Sequence, residues 1–432
     1  MTPQKQIRSF PPTVRLLLVN QFGVNFGFYL VLPYLAAHLT GDIAMSVAMV
    51  GLVLGVRTLS QQGMTLFGGS AADRLGYRPM IVLGCGLRVI GFGLFAVASN
   101  LTGVLFASIM IGLAGALFSP ACRAYLAHAA GDRKLDAFAA FHTASNAGAL
   151  IGPIAGGVLL IWGDFRLVSA AAAAAFLIMT VAQISVLPPQ AMEEDADRRS
   201  VIQGWKVLYS DRRFLVFVLA VSGLFLAYNQ LYLLLPLEVV RVTGVASVSS
   251  LIFVVATVVG LFATIPLTRW FSPRLAKAPS VVVGAVLCAI AFVPTAVSAS
   301  VQSAAGGSLG PDGPTITAQV LVNALPVLSA TAVLALGYSL AVPFIQDLTA
   351  SLAPAGLTAT YLGMFSTASG LVAAVGNVLV GTLQDLAGRA GMLWLPWICL
   401  TALQLAGACL LLVLHRRRAV PDRTPRHRTR IG

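Results

Sequence analysis

The chain has 432 residues, of which 58% are hydrophobic and only 10% charged, with a mean hydropathy of +0.87. That is too apolar for a soluble domain, whose charged fraction is about 25%. A net charge of +13 would point to nucleic acid in a soluble protein, but here the basic residues fall between and beyond the apolar runs, as membrane topology requires, and no nucleic-acid partner is expected.

Residues 1–13 are polar, carry Lys5 and Arg8, and lead into an apolar run from Leu16 to about Leu39. That run is longer than the roughly 7–15 residues of a signal-peptide core and no small-residue cleavage site follows it, so it is expected to be retained as span 1. At about 20 residues per crossing, further spans are expected near 46–70, 79–98, 101–126, 136–162, 165–187, 214–237, 246–270, 279–300, 316–349, 357–384 and 392–414. The 41 glycines suit helices that approach closely in lipid. The five cysteines (Cys85, Cys122, Cys288, Cys399 and Cys409) sit in apolar segments without CxxC spacing and suggest neither a disulfide framework nor a metal site.

Twelve spans put both termini on one side. With that side cytoplasmic, the inner segments hold Lys5, Arg8, Arg15, Arg74, Arg78, Arg123, Arg133, Lys134, Arg198, Arg199, Lys206, Arg212, Arg213, Arg269, Arg274 and Lys277, together with the arginines from Arg416 to Arg430. The outer segments hold Arg166, Arg241 and Arg389. This asymmetry predicts cytoplasmic termini in a multi-pass plasma-membrane protein, with a bacterial cell as the expected setting. Two connections exceed the usual length: 188–213, with the acidic patch Glu193, Glu194, Asp195 and Asp197, and the Gly/Ser/Pro-rich 301–315.

An internal repeat is visible. Tyr29, Pro33 and Thr40-Gly41 recur at the same spacing as Tyr232, Pro236 and Thr243-Gly244, while Thr143-Ala-Ser145 with Gly152 and Gly157 is matched by Thr367-Ala-Ser369 with Gly376 and Gly381. Spans 1 and 7, and spans 5 and 11, are therefore counterparts. The expected fold is an all-α integral membrane protein with twelve transmembrane helices in two pseudo-symmetric six-helix halves, as in a large group of secondary transporters. The expected division is 1–187, a cytoplasmic connection 188–213, a second half 214–415, and a basic cytoplasmic tail 416–432.

Between spans 2 and 3 lies a charged island, Gly69-Ser-Ala-Ala-Asp73-Arg74-Leu-Gly76-Tyr-Arg78. It resembles the Gly-x-x-x-Asp-Arg-x-Gly-x-Arg signature of the major facilitator superfamily. The family often has Leu where this chain has Ala71 and a basic residue where it has Tyr77, but the charges are kept. Read as a loop, the island suggests a cytoplasmic gate: Asp73 can face the positive N-terminal end of a neighbouring helix, and Arg74 and Arg78 can pair with acids on adjacent helices. The equivalent stretch around Arg269 and Arg274 has no acid, so the halves are not expected to gate alike.

In span 5, Gly148, Gly152-Pro153 and Gly156-Gly157 resemble the Gly-x-x-x-Gly-Pro-x-x-Gly-Gly-x-Leu motif of the exporter branch, especially twelve-helix drug/proton antiporters. Its small-residue face is expected to lie against a helix of the other half. Gly27 and Pro33 resemble the superfamily's pattern in span 1, with Leu35 in place of its second proline, and the arginine these antiporters often carry in span 4 is missing.

The resemblance implies a cavity lined by spans 1, 4, 7 and 10, which nominates Asn25, Tyr29, Tyr228, Asn229, Tyr232 and Tyr338. Arg57 and Gln61 in span 2 join them, because a charge in mid-membrane costs some 2.5–3.5 kcal/mol and normally faces a cavity or a partner. Arg88 in span 3 is a further intramembrane charge. Proton coupling needs a titratable group, and Asp73, Asp347 and His142 are the candidates. The expected function is export of small amphipathic or cationic drug-like molecules by alternating access in exchange for protons, by a monomer without cofactor or metal, in contact with membrane lipid. Alternatives are a carrier of the same fold for another metabolite or lipid-like substrate, and a facilitator without proton coupling. A membrane enzyme or receptor is disfavoured, because the sequence shows no nucleophile–base pair, metal-ligand cluster or nucleotide loop.

Overall fold

The computed structural model describes residues 10–130, 134–188, 211–305, 318–353 and 358–417, with the backbone course alone for Leu66, Ser70, Asp73, Arg74, Ala127, 134–136, Ala139, 302–305, Ala350 and 358–360. The acidic patch, most of both long connections and most of the basic tail lie outside the described residues. The described elements are all helical: α1 (Pro12–Gly41), α2 (Val47–Leu75), α3 (Tyr77–Val97), α4 (Leu101–Ala129), α5 (Lys134–Trp162), α6 (Phe165–Val186), α7 (Arg212–Asn229), α8 (Leu234–Thr243), a 3-10 turn (Ala246–Val248), α9 (Ser249–Phe271), α10 (Lys277–Ala291), α11 (Val293–Ala305), α12 (Ala318–Leu352), α13 (Thr358–Arg389) and α14 (Leu395–Arg416).

Local chemistry sets several of the starts. Ser46, Asn100, Asp164 and Asp211 each accept a hydrogen bond from a backbone N–H in the first turn of α2, α4, α6 and α7, and Pro12 opens α1, where a missing N–H is harmless. Eleven helical stretches among the described residues are long and apolar enough to cross a membrane. The 29-residue α2 is long enough to cross as well, but Arg57, Thr58, Gln61 and Gln62 interrupt its apolar run, and it packs inside the bundle as the twelfth span. Ile178, Leu219 and Phe262 stand exposed, as side chains facing lipid do.

Two of the expected spans are broken. Span 7 consists of α7 and α8, separated by turns at Gln230–Leu233, because Pro236 can neither donate to the Tyr232 carbonyl nor fit against it. Pro33, its repeat counterpart, sits within an unbroken α1. Span 9 likewise divides into α10 and α11 ahead of Pro294.

The two halves share one packing scheme. Helix α1 packs on α5 and α6, α4 on α2 and α3, and α3 on α6; in the second half α7 packs on α13 and α14, α12 on α9 and α10, and α10 on α14. Each pairing recurs between repeat-related spans, as duplication requires. The matched serines do equivalent work: Ser145 of α5 accepts from Asn25 of α1 at 3.0 Å, and Ser369 of α13 lies 3.3 Å from Ser222 of α7.

Across the halves the broadest contact is the antiparallel seam of α2 on α13, with a second between α5 and α9. The seam is backbone on backbone: a Cβ at Gly51 would collide with the Asn377 carbonyl, one at Gly55 would lie 2.8 Å from the Ala374 oxygen, and one at Gly381 would meet the Val47 carbonyl. It ends on a carboxylate, since Asp385 accepts from Val47 N and Ala48 N at 2.9 Å each. The end of the bundle where α1 gives way to α2 is called the Asp42 end below, and the opposite one the Arg78 end.

Gly51→Val should cost about 1–3 kcal/mol of stability by forcing α2 off α13. Gly86→Val, at a position where an added Cβ meets nothing within 4 Å, should be close to neutral. Thermal unfolding of the two purified variants side by side checks this, and equal melting temperatures would refute it.

Candidate functional site

Between the halves lies a cavity of about 280 Å³, at the small end of ligand sites. Asn25, Tyr29, Arg57, Gln61, Tyr228, Asn229, Tyr232 and Tyr338 all line it. The structure thus brings together every residue nominated for a cavity from the sequence, and adds Gln21, Phe28, Gln62, Arg88, Phe118, Ser119 and Phe225. Gln21 and Gln62 carry a polar signal inside apolar runs; Phe28, Phe118 and Phe225 look like any other core aromatic in the sequence.

The repeat builds the end of the cavity nearer the Asp42 end. Tyr29 and Tyr232, at matching repeat positions, bring their hydroxyls to 3.5 Å, and both rings pack on Phe253 of α9. The break in span 7 matters here, because it carries Tyr232 on a turn between α7 and α8. Tyr228 and Tyr338 stack at 3.9 Å between centroids and 14° between planes, forming an aromatic wall supplied by the second half. Asn25 donates to the Gln21 carbonyl of its own helix and to Ser145 of α5, so it joins α1 to α5 as well as facing the cavity.

The charged groups come from the first half. Arg57, on α2, is 5% exposed. Its guanidinium lies over the rings of Phe28 and Tyr232 and donates to Gln61 Oε1 at 3.3 Å and Thr58 Oγ1 at 3.2 Å. Arg88, on α3, is equally buried, set over Phe118 and Phe176, and donates to the Gly84 carbonyl at 3.4 Å. The Nε of each arginine has no hydrogen-bond partner among the described residues.

Among the described residues, no carboxylate lines the cavity. The acids with described side chains are otherwise engaged. Asp42 is hydrogen-bonded to His38, Asp164 and Asp211 cap helices, Glu238 pairs with Arg241, Asp347 with Lys277 at 2.9 Å, and Asp385 closes the seam. Of the proton-coupling candidates, Asp347 is thus an ion-pair partner at the Arg78 end and His142 is exposed on α5; neither lines the cavity. The side chains of Asp73 and Arg74 lie outside the described residues.

Two sequence expectations change. The charged island is not a loop: α2 continues through Asp73 and Arg74 to Leu75, and Gly76 alone makes the connection to α3. Its φ of +93° is one that side-chain-bearing residues rarely adopt. Arg78 donates to the Ile184 carbonyl at 2.6 Å, at the carbonyl-rich end of α6, instead of to an acid. The span 5 motif, in turn, serves its own half. A Cβ at Gly152 would lie 2.7 Å from the Phe26 carbonyl, and Gly148 and Gly156 abut the Phe22 and Leu30 carbonyls of α1 in the same way. The reason is spacing: residues four apart share one face, and that face meets α1. Gly157, one position round, faces Ser247 and Ser250 of the other half, and the Pro153 carbonyl accepts from Tyr34 at 2.6 Å.

The profile of the Major Facilitator Superfamily matches residues 17–377. An uncharacterized MFS-type transporter of Mycobacterium tuberculosis (strain ATCC 25618 / H37Rv) is 39% identical over 392 residues, covering 90% of each chain. Multidrug resistance protein MdtH of Salmonella typhimurium (strain LT2) is 27% identical over 385 residues, covering 89% of each. Among solved structures, a mutant of the nucleoside transporter NupG superposes with a TM-score of 0.79 at 11% identity, covering 93% of this chain and 99% of that one. A mutant of the peptide transporter POT gives 0.78 at 14%, covering 96% and 99%. Twelve helices in two matched halves and a cavity between them agree with these likenesses: the chain is a membrane transporter belonging to the major facilitator superfamily.

Proposed function

We propose that the protein exports small amphipathic molecules across the plasma membrane by alternating access, with its termini and the Arg78 end in the cytoplasm. The observation that carries this reading is a central cavity, lined from both halves and lying below a seam tied down at the Asp42 end. The distribution of lysine and arginine supports the orientation. The span 5 motif and the likeness to relatives named multidrug resistance protein favour export over uptake. In this reading residues 1–187 and 214–415 move as two bodies joined by 188–213, the tail 416–432 is cytoplasmic, and the unit is a monomer. The role is transport, with no catalytic step.

The geometry supports a cytoplasm-facing state closed on the outside by Asp385. Helices α2 and α13 are antiparallel, so the last turn of α2, with Asp73, runs toward the N-terminal end of α13, as the last turn of α13 runs toward the N-terminal end of α2. We assign Asp73 to the complementary, outward-facing state, as the lock of the cytoplasmic end together with Arg74, and Arg78 to tethering the connection. Two carboxylates on opposite helix ends would then alternate.

Exchange for protons remains the first reading of coupling, with Asp73, Asp347 or His142 titrating away from the cavity. A second reading, facilitated export without protons, is favoured by one observation: among the described residues, no acid and no histidine lines the cavity.

Two measurements test these assignments. In proteoliposomes loaded with a panel of fluorescent drugs, an imposed pH gradient should accelerate efflux, and Asp73→Asn should slow it about 10-fold while leaving binding within about twofold; efflux that ignores the pH gradient but follows membrane potential selects the second reading, and no movement of any compound refutes export. Pulsed-EPR distances between labels at Gly41→Cys and Gly388→Cys, both sites open to an added side chain, report the Asp42 end. On a cysteine-free background, Asp385→Asn should raise the open fraction about 10-fold, the worth of a charge-assisted hydrogen bond, and an unchanged distribution refutes the latch.

A further inference from the structure

The sequence suggests an amphipathic or cationic substrate, and the cavity argues against a cation. A cation entering it would meet Arg57 and Arg88 at close quarters, with no carboxylate among the lining residues to offset them. The two arginines are themselves unusual. An ion kept in mid-membrane normally pairs with another ion or with backbone carbonyls, and a buried charge without an ionic partner is costly. Yet Arg57 reaches only neutral oxygens through contacts of 3.2–3.3 Å, Arg88 reaches a carbonyl at 3.4 Å, and each keeps an unmet N–H at Nε. Rings lie over their flat faces, so a ligand in the cavity that both arginines line would be met by the guanidinium edges. Those edges carry the donors that match an oxyanion in a fork.

We infer that the cavity takes small organic oxyanions, carboxylates, sulfonates or phosphate esters, with a flat apolar body: the oxyanion completes the coordination of Arg57, with Arg88 adding to the positive field, and the ring lies along the Tyr228–Tyr338 wall. This deepens the transport reading above and rests on it. The volume of about 280 Å³ limits the ligand to one or two fused rings in this state. The arrangement also bridges the halves, because Arg57 belongs to the first while Tyr228 and Tyr338 belong to the second, so an occupant touches both bodies that must move. It also fits the lack of an acid among the described lining residues: a membrane potential, negative inside, drives an anion outward, and no proton-carrying side chain need face the ligand.

The test uses three permanently charged or neutral probes of similar shape: naphthalene-2-sulfonate, N-methylquinolinium and 2-naphthalenemethanol. In equilibrium dialysis against the purified protein, the sulfonate should bind saturably and at least about 10-fold more tightly than the cation. Arg57→Gln should weaken it at least about 10-fold, the range for a lost charge-assisted contact, and Arg57→Lys should weaken it less. The cation binding as well as the sulfonate overturns the inference, as does sulfonate affinity untouched by Arg57→Gln in a protein that melts normally, or no saturable binding of the sulfonate at all. If Arg57→Gln does not fold, the comparison of the three probes on the unmutated protein decides alone. Flux of the same probes from proteoliposomes under an inside-negative potential separates the two readings. Binding without flux leaves the oxyanion assignment and removes export; flux of the cation or the alcohol in place of the sulfonate leaves export and removes the oxyanion.

Discussion

The two bare N–H groups at the start of α2 govern much of this molecule. A helix N-terminus carries orphan donors and a partial positive charge that need acceptors. Here Ser46 takes the Met49 N–H, while Asp385, from the far end of the chain, takes those of Val47 and Ala48. The contact is possible only because glycines let α2 and α13 meet backbone to backbone. Close approach and polar satisfaction therefore come as one package, and the cavity takes its closed end from it. The Tyr29–Tyr232 contact and the Phe253 ring continue that closure beneath the seam.

Duplication supplied the frame, and departures from duplication supplied the site. The within-half packing is repeated almost helix for helix, and Ser145 and Ser369 hold equivalent joints. The equivalent prolines do not behave alike. Pro33 is absorbed in α1, whereas Pro236 follows an open turn, and that turn carries Tyr232 toward Arg57. The charge is asymmetric too, with both cavity arginines in the first half and the stacked tyrosines in the second.

Much of this was legible in the sequence because membrane spans announce themselves by length and apolarity, and because a repeat identifies positions that face the same axis. Tyr29 and Tyr232 could be paired on paper for that reason, and Arg57 stood out since a charge in an apolar run has few places to go. What could not be read was anything depending on who the neighbour is. Asp385 carries no sign of its partner in the sequence, because the backbone it caps lies 338 residues away. The glycines of α5 announced a close contact without saying that Gly148, Gly152 and Gly156 meet α1 while Gly157 alone turns to the other half. The charged island read as a loop since glycine and charge are turn signals; a single left-handed residue, Gly76, was enough to make the turn, so the helix ran on.

One feature of α2 links recognition to motion. The Arg57 carbonyl lies against Gly112 of α4, where a Cβ would come within 2.5 Å, and two residues away Gly55 is pressed on Ala374 of α13. Held between two neighbours, this stretch of helix has no room to bend and moves as a rod. The side chain assigned to the cargo and the backbone that Asp385 holds are about 15 Å apart on that rod, at 1.5 Å of rise per residue. On the proposed reading, selectivity and turnover are therefore not separately adjustable, and a lineage that alters what α2 recognises alters the rhythm of the transport cycle with the same substitution.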